Sequence, residues 1–73
     1  MSRLKILTSI QMCKLLESID FMTIRQRGSH KFYRHDDGRT TVVPMHSKDL
    51  DRGIIRKILK DIDMSIDDYN NNN

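Results

Sequence analysis

Two adjacent residues, Asp37 and Gly38, constrain this chain more than any other feature, because they separate two β-prone runs at 31–35 and 40–43. A two-residue type I′ turn needs positive φ at both central positions, and Asp and Gly tolerate that. The two runs are therefore expected to pair as an antiparallel hairpin. With Asp37 and Gly38 as the loop, Asp36 falls opposite Arg39, Tyr33 opposite Val42, Phe32 opposite Val43 and His30 opposite Met45. Gly28-Ser29 reads as a turn out of an earlier strand, so His30 is held at a strand start beside backbone N–H groups and the Ser29 hydroxyl. That setting suits a phosphate.

The flanking segments complete a small domain. Thr8-Ser9-Ile10-Gln11 has capping-box form, with Leu7 and Met12 placed to staple the helix start. Met12, Leu15, Leu16 and Ile19 then recur at helical spacing until Asp20-Phe21. Residues 22–26 alternate apolar Met22 and Ile24 with Thr23 and Arg25, the pattern of a half-buried strand. After Pro44 an irregular segment leads to Asp51, an N-cap for a helix through Ile62 with the stripe Ile54, Ile55, Ile58, Leu59 and Ile62. Ser65-Ile66-Asp67-Asp68 repeats the cap signal and predicts a short last helical turn through Tyr69. The order is α-β-β-β-α: an α+β fold, a three-stranded antiparallel sheet with two helices packed on one face, which is the arrangement of double-stranded RNA-binding domains. Residues 1–69 are expected to form this single domain, and the asparagine run at 70–73 a disordered tail.

Composition narrows the function. Seventy-three residues allow a thin core. The lone Cys13 cannot pair within the chain and lies in the helical pattern as a small hydrophobe, which argues against thiol chemistry. No apolar run reaches the length of a membrane span, and polar residues interrupt the N-terminus, so a cytoplasmic protein is expected. The net charge of +3 hides an asymmetry: residues 1–60 hold all thirteen Lys and Arg but six of the ten acids, leaving them at +7 and residues 61–73 at −4. A basic folded body favours polyanionic partners, RNA or DNA first.

Arg27-Gly28-Ser29-His30, then Tyr33-Arg34-His35-Asp36-Asp37-Gly38-Arg39, then Thr41-Val42-Val43-Pro44-Met45-His46, then the helix Ile54-Ile55-Arg56-Lys57-Ile58-Leu59 together resemble the HicA family of toxin–antitoxin modules. The resemblance implies a compact dsRNA-binding-like domain that cleaves mRNA with neither metal nor other cofactor and is held inactive by a cognate HicB antitoxin. It maps the family's catalytic histidine, in its Gly-Ser-His motif, onto His30.

The residues can be weighed on their own chemistry. RNA carries its own nucleophile, the 2′-OH, so a ribonuclease needs to remove that proton, stabilise the phosphorane and protonate the leaving 5′-oxygen. Histidine is the side chain that titrates nearest neutrality, which makes His30 the candidate general acid/base. Arg27, Gly28, Ser29, Lys31 and Lys48 are the expected RNA contacts, with Arg34, Arg56 and Lys57 as further candidates for phosphate. Phe32 and Tyr33 face opposite ways, so at least one is core, and either is a candidate to stack on a base. Strand alternation puts His35 on the face away from His30, as an exposed hairpin residue, while His46 is a candidate for a supporting role. A metal site would be a competing use of three histidines and Asp36-Asp37, but no spacing puts three ligands on one element. The alternative to a ribonuclease is a non-catalytic RNA-binding or regulatory module on the same fold.

Overall fold

A computed structural model describes residues 3–72 and orders them as α1 (Ser9–Ser18), β1 (Met22–Arg27), β2 (His30–Arg34), β3 (Thr40–Pro44), α2 (Arg52–Asp61) and α3 (Ile66–Asn71). Each helix starts where a short polar side chain accepts an orphan backbone N–H. Thr8 and Gln11 form the expected capping box, Asp51 accepts from Ile54 N at 2.9 Å and Ser65 from Asp68 N at 3.1 Å. α1 and α2 end alike. Phe21 N donates to Leu16 O at 3.0 Å and Met64 N to Leu59 O at 2.9 Å, each closing a Schellman motif around an aspartate in the left-handed region, Asp20 at φ 71° and Asp63 at φ 57°.

The sheet has the order β1-β2-β3 and is antiparallel throughout. The β2–β3 hairpin forms, but one residue out of the expected register. Tyr33 pairs with Thr41, Phe32 with Val42 and His30 with Pro44. The loop has three residues, Asp36, Asp37 and Gly38, because His35 and Arg39 make the last pair: His35 N donates to Arg39 O and Gly38 N to His35 O, both at 2.9 Å. Gly38 takes φ 100°, so the turn ends in the positive-φ residue of a G1 bulge instead of forming a I′ turn. The Asp37 carboxylate sets this geometry by accepting from Arg39 N at 3.0 Å and Arg39 Nε at 2.8 Å.

The register decides which side chains enter the core. Tyr33, Thr41 and Val43 lie on the covered face, 0, 3 and 0 % exposed. Tyr33 is thus the core aromatic of the Phe32–Tyr33 pair. α1 brings Met12, Leu15 and Leu16 against this layer, and α2 brings Ile55, Ile58, Leu59 and Ile62. Burial drives the Tyr33 phenol well above its ordinary pKa and pushes Tyr69 up to about 12. The Tyr69 hydroxyl donates to Lys5 O at 2.7 Å, fastening α3 to the segment before α1.

Three expectations need correction. β1 is not half-buried: all six residues are exposed, Met22 by 66 % and Ile24 by 55 %, because the helices pack chiefly against β3 at the opposite edge. His35 is half-buried, not exposed, with its ring 5.2 Å from the Phe21 ring in an edge-on contact. The asparagine run does not begin a disordered tail at 70. α3 continues to Asn71, and the Asn70 side chain accepts from Lys5 N at 3.1 Å and donates to Arg3 O. Asn73 lies outside the described residues. Among these, no helix is long and apolar enough to cross a membrane.

Two stability predictions follow from these turns. A left-handed conformation costs a residue with a Cβ roughly 1–2 kcal/mol, part of which glycine returns as unfolded-state entropy, so Asp20→Gly and Asp63→Gly should each stabilise by about 0.5–1 kcal/mol. The urea midpoint should rise at unchanged slope. The backbone N–H of Arg39, then its side chain, holds the Asp37 carboxyl below its ordinary value. A depressed carboxylate contributes stability above its unfolded pKa and loses it as pH falls through the folded one. The melting-temperature gap between the wild type and Asp37→Asn should therefore be widest above about pH 4 and close on further acidification.

Candidate active site

His30 opens β2 directly after a two-residue connection from β1. Gly28 has φ 55° and Ser29 is not in the positive region, the pattern of a type II′ hairpin turn. Arg27 faces His30 from β1 and Pro44 from β3, and Met45 N donates to Ser29 O, so the turn is held from both sides. His30 itself is exposed.

Beyond Pro44 the sheet ends and α2 overhangs its edge. There His30, Val42, Pro44, Ile54, Lys57 and Ile58 line an open groove of about 290 Å³. Lys57 is the cation on the helix side. Its ammonium lies 3.1 Å from Asp61 Oδ2, the oxygen that also accepts from the buried Thr41 hydroxyl at 3.0 Å. The core side of that carboxylate is therefore anchored in β3 while its solvent side steadies Lys57. An imidazole and an amine side chain lining one groove can move a proton and balance negative charge, operations that an attack on a phosphodiester needs. A larger groove of about 580 Å³ lies beside α1, but its charged lining residues are Lys5 and Lys14, and neither a histidine nor a carboxylate lines it.

The other expected site residues are spread out. Arg27, Gly28 and Ser29 adjoin His30 as expected. Lys31 does not: one step along the strand, it turns to the covered face, where its ammonium sits 5.6 Å from the Tyr33 ring centre. Lys48 is exposed on the β3–α2 connection and does not line the groove. His46 also lies on that connection, its Nδ1 3.0 Å from Lys48 O and its backbone N–H donating to Ser9 Oγ at 3.3 Å, so it shapes the loop. Among the described residues, no three His, Cys, Asp or Glu are grouped to hold a metal ion. Lys57 was legible only as one of several basic residues, although its place between Ile54 and Ile58 puts it on the border of the buried stripe.

The fold and this face define a small basic α-β-β-β-α domain of the double-stranded RNA-binding type. The chain matches the family model described as HicA toxin of bacterial toxin-antitoxin over residues 10–64 of 73, and it belongs to that family. It is the toxin of a toxin–antitoxin module and has a cognate antitoxin. No curated protein matches the chain.

The support and the groove should separate in stability measurements. Asp61→Ala leaves the buried Thr41 hydroxyl without its acceptor and should cost about 1–3 kcal/mol in urea unfolding. His30→Ala, at an exposed strand start, should stay within about 0.5 kcal/mol of the wild type.

Proposed function

We propose that this toxin is a metal-independent endoribonuclease that cleaves mRNA in the cytoplasm, with His30 as general acid/base and Lys57 as the cation facing the reacting phosphate. The observation that carries this reading is that His30 and Lys57 line one open groove. His30 takes the proton of the RNA 2′-OH as that oxygen attacks the adjacent phosphorus. Lys57, with Arg27 beside His30, offsets the charge that builds on the phosphorane oxygens. The bond to the 5′-oxygen breaks, and that oxygen takes a proton from the solvent that fills the groove. The products are a 2′,3′-cyclic phosphate and a 5′-hydroxyl.

The Gly28-Ser29 turn supports this role by holding His30 at the sheet end, and the Ser29 hydroxyl is the proposed donor to a phosphate oxygen. Lys48 extends positive charge along the β3–α2 connection, and Lys31, on the covered face, contributes charge at longer range. A HicB-type antitoxin is the proposed partner, silencing the toxin by covering the groove.

Purified toxin incubated with unstructured RNA in EDTA should release fragments ending in a cyclic or 3′-phosphate. His30→Ala should abolish them, and Lys57→Ala should lower kcat by roughly 10–1000-fold with a smaller change in KM. Replacing the single 2′-hydroxyl at the cleaved position by hydrogen should stop cleavage and leave binding nearly intact. A 5′-phosphate with a free 3′-hydroxyl would mean attack by water and reject the His30 mechanism. Retardation of RNA that stays intact with both wild type and variant would make the chain a binding module.

A further inference from the structure

The sheet face away from the helices owes its chemistry to one irregularity in β1. Thr23 pairs with Tyr33, but the next pair is Arg25 with Phe32, so Ile24 is an extra residue and the alternation of β1 reverses after it. Without the bulge, Arg25 and Arg27 would point toward the helices with Thr23. With it, they join His30, Phe32 and Arg34 on the open face. No carboxylate occupies any paired position of that face. The Arg25 guanidinium lies 4.7 Å from the centre of the half-buried Phe32 ring.

We infer that this face is a binding track for single-stranded RNA, on which the Phe32–Arg25 pair stacks the base next to the phosphate held at His30. The inference rests on the ribonuclease reading for the phosphate at His30 and adds the path of the substrate away from it. His30, Phe32 and Arg34 alternate along one strand, so neighbouring members of the series lie roughly 7 Å apart, about one nucleotide of an extended chain. Arg34 then meets the next phosphate, and Arg27 stands beside the first. Aromatic and guanidinium planes stack unpaired bases without regard to sequence. A duplex keeps its bases inside and offers this face only phosphates, so the track selects single strands. Met22, Val42 and Pro44 share this face, but its three arginines with no carboxylate at a paired position make a polyanion the occupant that fits.

The test is fluorescence anisotropy with a labelled unstructured RNA dodecamer and the corresponding perfect duplex, using the full chain carrying His30→Ala so that nothing is cut. The RNA is recovered on a gel after each titration, so a failure of the His30 mechanism would show as cut RNA and be told apart from a failure of the track. The single strand should bind more tightly than the duplex. Adding Phe32→Ala should weaken single-strand binding about tenfold with little change in salt dependence, and Phe32→Trp should restore it, which a merely unfolded variant would not allow. Arg34→Gln should instead lower the slope of log affinity against log salt by about 0.7. Equal affinity for duplex and single strand, or single-strand binding indifferent to Phe32→Ala, would overturn the inference. So would loss of binding to a HicB-type antitoxin in Phe32→Ala while RNA binding is unchanged, since the face would then belong to the protein partner.

Discussion

The pairing register of β2 with β3 depends on one ion pair, and most of the molecule depends on that register. Asp37 holds the backbone N–H and the guanidinium of Arg39, which closes a three-residue loop where a two-residue loop was the simpler choice. Arg39 carries the constraint onward: its guanidinium also donates to Ile62 O, at the C-terminal end of α2, and lies 5.2 Å from the Phe21 ring centre. One side chain therefore joins the hairpin tip, the helix end and the start of β1. A cation is favourable at a helix C-terminus, so the contact with α2 satisfies an orphan carbonyl and the helix dipole together. Slipping the pairing by one residue would present Val42 in place of Thr41 beside Tyr33, and the Asp61 carboxylate would lose its partner in β3.

The same register explains what could be read from the residues alone. Caps, helical stripes and the Gly28-Ser29 turn were legible because each depends on neighbours within four positions, and all of them formed. The hairpin was legible as a hairpin, but its loop length was not, since Asp37-Gly38 satisfies a I′ turn as well as the end of a G1 bulge. The choice lies with Arg39, whose other partners are far away in the chain. For β1 the alternation of Met22 and Ile24 suggested a buried face, but which strand the helices cover is a tertiary matter, and the bulge at Ile24 has no local signature.

His30 stood out as a candidate from its motif, while the groove it shares with a cation was not legible. Lys57 reaches the site because α2 packs over the β3 edge, a consequence of where Ile55, Ile58 and Leu59 are buried. Lys31, next to His30 in the chain, fails to reach it for the opposite reason: consecutive side chains on a strand point to opposite faces. Proximity in sequence misleads in a strand and informs in a helix, and this site draws one residue from each.

The two faces of the sheet also differ in what limits a substitution. Tyr33, Thr41 and Val43 answer to the helices above them, so drift there is limited by folding. The opposite side of the same strands contributes little to the core, and its side chains are free to diversify as long as whatever settles on them still fits. Substitution on the open face can thus change what docks there while the chain keeps its fold.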